Sequence, residues 1–168
     1  DRYFLFIVDG IVYLISNNLN IIKTDHEVDK KYNNTLIDGE LLYIGKYKKY
    51  VFLGFDILFD KGIDVRENIK MSDRYEKLSQ NLQKIFGSKL TNDQYSGDFN
   101  VDKIRDHLAK QIKTYMDDLN KSLKNDKSLF VIKYKFYAFP LGGNGSEIFN
   151  YSSKMWDLYT KELECPYI

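Results

Sequence analysis

Two long apolar runs in the first third of the chain carry carboxylates where a buried strand normally has none. The runs cover residues 35–42 and 51–59, and they contain Asp38, Glu40 and Asp56. Burying a carboxylate costs several kcal/mol unless a cation, a metal ion or hydrogen-bond donors compensate its charge. We therefore expect these two strands to hold positively charged groups close to their carboxylates.

Composition limits the class of protein. A chain of 168 residues with 15% aromatic residues is typical of one ordered domain with a substantial core. Its 25 basic and 24 acidic residues nearly cancel, so net charge alone predicts no strong binding to nucleic acid. The single cysteine, Cys165, excludes an internal disulfide framework and favours a reducing compartment. No apolar run approaches the roughly 20 residues that span a bilayer, so we expect no membrane partner.

The first 60 residues read as an antiparallel meander. Residues 3–8 and 11–15 are rich in apolar and β-branched side chains, and Asp9-Gly10 between them is a strong hairpin signal. Pairs of asparagines at 17–18 and 33–34 predict further turns. Between these turns we predict a short strand over 19–23 and a charged loop over 24–32, and we predict another turn at 60–62.

Helical spacing dominates the middle of the chain, over residues 72–120. Ser72 is placed to cap a first helix that ends at Gly87, and a second helix carries an apolar stripe from Val101 to Leu119. Residues 129–168 predict a strand over 129–139, a loop over 140–145 and a last helix. We expect Ser152 or Ser153 to cap that helix and Trp156 to lie in the core. The fold class is therefore α+β, with antiparallel sheets and packed helices in one domain.

A resemblance emerges from the two carboxylate-bearing runs. Asp38-Gly39-Glu40 on a strand, followed about fifteen residues later by Phe55-Asp56-Ile57-Leu58, resembles motifs III and IIIa of the covalent nucleotidyltransferases. That superfamily contains the mRNA capping guanylyltransferases and the ATP-dependent DNA and RNA ligases. Its first motif reads K-x-D-G-x-R, and Asp1-Arg2 resembles the tail of that motif. The resemblance implies a nucleophilic lysine four residues upstream of Asp1 and a domain cut off at both ends.

The resemblance also implies roles for individual residues. Glu40 would contact the ribose of the nucleotide and help to hold a Mg²⁺ or Mn²⁺ ion, and Phe55 would stack on the purine. Arg2 would lie beside the ribose or phosphates, and Asp38 with Gly39 would support the nucleotide site. Spacing alone leaves simpler interpretations open, namely a hairpin turn at Asp38-Gly39, a core position for Phe55 and an exposed surface position for Arg2. For Asp56 a buried structural hydrogen bond and a direct contact remain equally open.

The resemblance implies an mRNA guanylyltransferase that transfers GMP from GTP, through a covalent lysine–GMP intermediate, to the 5′-diphosphate end of RNA. The long helical segment after motif IIIa favours the capping enzymes of large cytoplasmic DNA viruses. Triphosphatase and methyltransferase domains in the same polypeptide, and a location in the cytoplasm, viral factory or virion, follow from that resemblance. The alternatives are the adenylation domain of an ATP-dependent ligase and a non-catalytic interaction domain that keeps the fold.

Other polar residues carry weaker signals. His26 and His107 lack partners at metal-ligand spacing, and Cys165 has no neighbouring histidine that would make it a nucleophile. The glycine-rich loop at 142–145 lacks the G-K-[ST] ending of a phosphate-binding loop. Lys133 and Lys135 alternate along a strand, so they could face RNA or nucleotide phosphates, although a solvent-exposed face is favoured.

Overall fold

The computed structural model describes residues 1–67, 69–87, 100–137 and 145–162, and at 159 and 162 it describes only the backbone. Two compact units are present. The first comprises Asp1–Leu90 and Asn120–Lys135, and the second comprises Thr91–Leu119 and Phe136–Ile168. Part of the loop predicted over 140–145 and the end of the strand predicted over 129–139 lie outside the described residues, as does Cys165.

One mixed sheet lies at the centre of the first unit. Its seven strands are β1 (Arg2–Val8), β2 (Ile11–Ser16), β3 (Ile21–Glu27), β4 (Thr35–Ile44), β5 (Lys49–Asp60), β6 (Ile63–Asp64) and β7 (Phe130–Tyr134). The strand order is β3-β2-β1-β4-β5-β6, and β7 pairs with β5. All pairs are antiparallel except β5–β7, which is parallel. The α+β class is thus confirmed, but the sheet is single and mixed.

The predicted simple meander is wrong at one connection, because β4 pairs with β1 and not with β3. The segment between β3 and β4 contains a 3₁₀ turn at Lys30–Tyr32 and hydrogen-bonds to the first hairpin. The Val28 amide donates to the Gly10 carbonyl at 2.7 Å, and the Asn34 amide donates to the Ile7 carbonyl at 2.7 Å. These bonds lead the chain past the end of the first hairpin to the free edge of β1.

The β1–β2 hairpin forms as predicted. Asp9 and Gly10 both have left-handed backbone angles, with φ of 52° and 73°. Two consecutive positive φ values are the signature of the type I′ turn, whose twist matches that of the flanking strands. Val8 pairs with Ile11 across the turn.

The third strand extends further than predicted. It runs over Ile21–Glu27, so the charged segment from Thr24 to Glu27 belongs to the sheet and only the remainder is a loop. Thr24 is buried, and its hydroxyl donates to the Val12 carbonyl at 2.7 Å. That hydrogen bond satisfies the Thr24 hydroxyl inside the sheet. The charged residues of this segment had predicted a loop instead.

Helix α1 (Met71–Phe86) packs on the sheet. Its buried residues Leu78 and Leu82 approach Gly54 of β5, where an added Cβ would lie 3.3 Å and 3.5 Å from their methyl carbons. The helix ends at Gly87 as predicted, with φ of 69° and its amide donating to the Gln83 carbonyl. The predicted cap at Ser72 is wrong, because Lys70 is the N-cap residue and no side chain caps the first turn.

The second unit has a helical core. Helix α2 (Val101–Asn125) contributes three buried residues to it, and α3 (Gly145–Asp157), with the π-helical turn Leu158–Glu162, contributes three more. The six are Ile104, Leu108, Ile112, Tyr151, Met155 and Leu158. Burial raises the pKa of the Tyr151 hydroxyl to about 12. None of the helices in the described part of the chain has the length and apolar character needed to span a bilayer.

Two predictions for the last helix are wrong. Ser152 and Ser153 lie inside α3, which begins seven residues before Ser152, so neither is a cap. Trp156 is exposed, because the buried stripe of this helix runs through Tyr151 and Met155 and then continues at Leu158. The tryptophan directly follows Met155 and therefore lies off that stripe.

Candidate functional site

Strand β4 places two carboxylates on one face of the sheet. Asp38 and Glu40 are two residues apart on a continuous strand, so their side chains point to the same side. The neighbouring strand β1 places Phe4 directly opposite Asp38 and Arg2 directly opposite Glu40. Residues that face each other in an antiparallel pair share a face. Arg2, Phe4, Asp38 and Glu40 therefore form one surface, and we call these four residues the carboxylate face.

Arg2 is bound by Asp38. The guanidinium donates from Nε to Oδ1 at 2.9 Å and from Nη2 to Oδ2 at 2.5 Å. The Asp38 side chain is only 6% exposed, whereas that of Arg2 is half-exposed. The hydrogen bonds to Asp38 raise the pKa of Arg2, and the charge of Asp38 adds to the effect. The Arg2 Cζ atom also lies 5.4 Å from the centre of the Phe4 ring. The cation expected beside Asp38 is thus supplied by the protein itself.

Glu40 pairs with a lysine that lies 95 residues further along the chain. Lys135 Nζ is 3.3 Å from Glu40 Oε2, and each side chain is about one-third exposed. The solvent-exposed face predicted for these two lysines is wrong for Lys133, and Lys135 is only partly exposed. Lys133 lies on β7 and is buried, and Lys135 directly follows that strand. The uninterrupted apolar run before Lys133 was the available signal, because parallel strands are usually covered on both faces.

Asp56 is held by Arg74 of helix α1. Arg74 Nε donates to Asp56 Oδ1 at 2.8 Å and Nη2 donates to Oδ2 at 3.3 Å, while Nη1 donates to the Ile69 carbonyl at 2.8 Å. Hydrogen bonding to Asp56 raises the pKa of Arg74. Of the two interpretations left open for Asp56, the structure shows a structural contact, and that contact is partly buried. Each of the three strand carboxylates thus has a cationic partner.

The Arg74–Asp56 ion pair allows a test of whether burial determines how much an ion pair contributes to stability. Arg74→Met should lower the free energy of unfolding by about 2 kcal/mol, because it leaves the Asp56 carboxylate poorly solvated without a partner. Arg66→Met is the matched control, since Arg66 makes the same Nε and Nη2 contacts to Asp64. The side chains of Arg74 and Asp56 are 17% and 19% exposed, against 56% and 44% for Arg66 and Asp64. We expect no measurable loss in the control. Equal losses in urea unfolding would contradict the interpretation.

Phe55 occupies a β-bulge. Asp38 pairs with Asp56 and Gly39 pairs with Gly54, so β5 advances two residues where β4 advances one, and Phe55 faces no residue of β4. The side chain is partly exposed. Bulges often occur beside functional sites, where they redirect a side chain from the direction that regular pleating imposes. The alternative of a core position predicts a buried Phe55, and the structure shows a partly exposed side chain instead.

Gly39 lies between the two carboxylates and allows a close approach from the opposite face. A Cβ at this position would lie 2.6 Å from Phe52 Cε2 and 2.7 Å from the Leu53 carbonyl oxygen. Phe52 is completely buried. Only glycine fits between the carboxylates at this point of β4 without moving the Phe52 ring or the β5 backbone.

Each of the two histidines contacts neighbouring groups of the protein. His26 lies on β3, not in a loop, and its Nε2 is 2.6 Å from the Phe130 carbonyl oxygen, so this nitrogen donates and joins β3 to the start of β7. Its ring meets that of Phe86 edge-on at 5.3 Å. His107 Nε2 lies 3.0 Å from Gln111 Nε2 on the next turn of α2. Among the described residues, no group of three or more histidine, cysteine, aspartate or glutamate side chains is arranged to hold a metal ion.

Comparison with known proteins supplies the family context. No protein-family model matches the sequence. A curated protein of Acanthamoeba polyphaga mimivirus, named "Probable mRNA-capping enzyme", is 32% identical over 173 aligned positions, which cover 99% of this chain. The chain is homologous to a segment of that probable mRNA-capping enzyme. The resemblance to viral capping enzymes is thereby confirmed along almost the whole sequence.

The match covers a much smaller share of the mimivirus protein than of this chain. The chain covers 14% of the length of the mimivirus capping enzyme, so it corresponds to a small part of that protein. The carboxylate face and the Phe55 bulge both lie within a sequence that is related to this capping-enzyme segment throughout. The similarity establishes common ancestry with that segment.

Proposed function

We propose that this chain is the central part of an mRNA guanylyltransferase domain. The proposed domain transfers GMP from GTP, through a covalent lysine–GMP intermediate, to the 5′-diphosphate end of RNA. One observation carries the proposal: Asp38-Gly39-Glu40 lies on a strand whose neighbour presents Arg2 to the same face, in a homologue of a probable mRNA-capping enzyme. A hairpin turn at Asp38-Gly39 is excluded, because β4 continues from Thr35 to Ile44.

The carboxylate face has the donors and acceptors that a nucleotide requires. Asp38 occupies two of the five N–H groups of the Arg2 guanidinium, which leaves the others for ribose or phosphate oxygens. Fixing Arg2 through a buried carboxylate reduces the entropy lost when it binds an anion. Glu40 keeps one oxygen beyond its contact with Lys135, and a ribose hydroxyl can donate to it. Asp38 is then a positioning residue, while Arg2 and Glu40 contact the nucleotide.

Phe55 is assigned to the purine. A bulged, partly exposed aromatic side chain next to the carboxylate face offers a flat apolar surface for a base. Stacking of a base on an aromatic ring contributes roughly 1–3 kcal/mol and tolerates any base. Phe55 would therefore hold the purine plane without choosing between guanine and adenine.

A divalent cation fits the residues present. Mg²⁺ usually binds through one or two carboxylates together with substrate phosphates and water, and Mn²⁺ accepts similar oxygen ligands. Glu40 is a single, partly exposed carboxylate of this kind. A bound Mg²⁺ or Mn²⁺ would neutralise negative charge on the phosphates of GTP. Asp38 and Asp56 are unsuited to this task, because arginines already occupy both oxygens of each.

The proposal is tested with a polypeptide extended beyond both ends of the 168 residues. It is incubated with a divalent cation and with GTP or ATP labelled at the α-phosphate, and acid-labile, base-stable label on the protein is measured. Label from GTP supports the guanylyltransferase, and label from ATP would make the protein a ligase instead. Absence of label from both, in a folded protein, would favour the non-catalytic interaction domain. Because the nucleophile is expected upstream of Asp1, the 168 residues alone should acquire no label.

A further inference from the structure

The hairpin that joins β4 to β5, residues 43–50, has a composition unlike the rest of the chain. It contains three lysines, three tyrosines and no carboxylate, although the whole protein has a net charge of only +1. Neighbouring residues add to the positive charge. The end of α2 and the following turn carry Lys121, Lys124 and Lys127, and the Lys49 ammonium donates to the carbonyl of Asp126 in that turn.

Two of the three tyrosines of the hairpin form an aromatic ladder with Phe130. Tyr43 and Tyr50 pair across the two strands with ring centres 5.0 Å apart, and Tyr50 stacks on Phe130 at 5.4 Å with an angle of 19° between the rings. Phe130 is buried, whereas Tyr43 at the other end of the ladder is 57% exposed. The ladder therefore supports an exposed ring from beneath and holds it in place.

The lysines of the hairpin are not neutralised by the protein. Within the described residues, Lys46 and Lys48 form no ion pair, and Lys46 Nζ lies 5.3 Å from the centre of the Tyr47 ring. Asp126 and Asp25 lie near the turn after α2, where the Asp126 carbonyl accepts from Lys49 and Asp25 accepts a hydrogen bond from Ser128. They leave a clear excess of positive charge.

A second group of three lysines provides a contrast. Lys30, Lys31 and Lys61 surround Tyr32, but this tyrosine is buried. Lys30 lies 3.3 Å from Asp9, and Lys61 lies 3.9 Å from Asp60. Two of these three lysines pair with carboxylates, and the tyrosine they surround is buried, so the group provides a natural control.

We propose that residues 43–50 bind single-stranded RNA. The lysines contact phosphates, and the exposed face of Tyr43 stacks on a base, which is the combination that proteins use for single strands. An acidic peptide would need the lysines but not the exposed ring, so the observations favour RNA. Tyr43 is three residues from Glu40, roughly 10 Å along the strand, and on the opposite face. An RNA would therefore cross the lysine-rich end of the hairpin between the carboxylate face and Tyr43. The inference relies on the proposed function only in taking RNA as the acceptor.

The test measures binding of a fluorescent single-stranded RNA by anisotropy at several salt concentrations. The variant Lys46→Gln/Lys48→Asn/Lys49→Gln removes three charges, and asparagine is chosen at 48 because that residue has a φ of 53°. The control Lys30→Gln/Lys31→Gln/Lys61→Asn removes the same charge, with asparagine at 61 because φ there is 51°. We expect the hairpin variant to bind at least about tenfold more weakly and to lower the slope of log K against log salt by about 2. The control should stay within about twofold of the unmodified protein, and Tyr43→Ala should weaken binding about fivefold or more.

Three outcomes would overturn the inference. They are equal losses in the two lysine variants, no binding of RNA by the unmodified protein, and displacement of the RNA by a phosphoserine peptide that binds more tightly. The last would identify an acidic protein partner. Because the assay needs neither GTP nor covalent labelling, its result is independent of the labelling experiment. A protein that is labelled by GTP but binds RNA equally well in all variants would refute the hairpin surface and leave the guanylyltransferase intact.

Discussion

Glu40→Ala should lower labelling of the extended polypeptide by GTP about a hundredfold, because loss of a positioning contact at a reacting centre has effects of that size. The variant should nevertheless remain folded. Its ion pair with Lys135 is about one-third exposed on both sides, and such pairs contribute no more than about 1 kcal/mol to stability. Loss of activity without loss of stability is therefore the expected result.

Two further variants sharpen this prediction. Glu27→Ala removes an exposed glutamate from β3 of the same sheet and should leave labelling unchanged. Glu40→Gln keeps a hydrogen-bond acceptor but removes the charge, so a level between those of the unmodified protein and Glu40→Ala would assign part of the effect to charge. If Glu40→Ala retained full labelling, or lost it only in proportion to its unfolded fraction, the role assigned to Glu40 would be wrong.

Gly39→Ala should lower the free energy of unfolding by about 3 kcal/mol, at the upper end of the usual range for overpacking. The added methyl group would overlap the Phe52 ring and lie 2.6 Å from its Cε2 atom and 2.7 Å from the Leu53 carbonyl oxygen. The ring is fully buried, and the carbonyl belongs to the paired strand β5. Neither can move without disturbing the sheet beneath the carboxylate face. Urea unfolding measures the loss directly.

The matched control is Gly45→Ala. The nearest atom to a Cβ at Gly45 is Tyr43 Cε1 at 4.0 Å, an ordinary contact in an exposed turn, so stability should change by less than about 1 kcal/mol. Adding Phe52→Leu to Gly39→Ala should make the double variant more stable than the sum of the two single effects, because the smaller side chain relieves part of the overlap. Additive losses would show that the Phe52 ring is not the source of the cost.

The features that local chemistry determines could be predicted from the sequence. Asp9-Gly10 specifies a two-residue turn through its own backbone preferences, and Gly87 ends a helix for the same reason. The apolar stripe from Val101 to Leu119 predicted the buried face of α2. Asp38 and Glu40 could be identified as candidate site residues, because a carboxylate in an apolar strand requires a compensating cation or donor wherever the strand lies in the fold.

Contacts between distant parts of the chain could not be predicted. Nothing near Asp38, Glu40 or Asp56 indicates which cation each will bind, and the three partners lie 36, 95 and 18 residues away. The pairing of β4 with β1 depends on hydrogen bonds between the segment after β3 and the first hairpin, including one from the Gly10 amide to the Asn33 side chain 23 residues away. The serines failed as caps for a related reason. A serine is compatible with a cap and with a helix interior, and the surrounding packing decides between them.

The parallel pairing of β5 with β7 has a consequence for the time course of folding. Strands β1 to β6 are complete by residue 64, but β7 begins only at Phe130. Contacts between residues far apart in sequence require closure of a long loop, which slows their formation. The contact between Glu40 and Lys135 can therefore form only after β7 has joined the edge of β5. During synthesis on a ribosome, the six-stranded intermediate would emerge with Glu40 lacking its lysine, and the complete carboxylate site would be among the last parts of the sheet to mature.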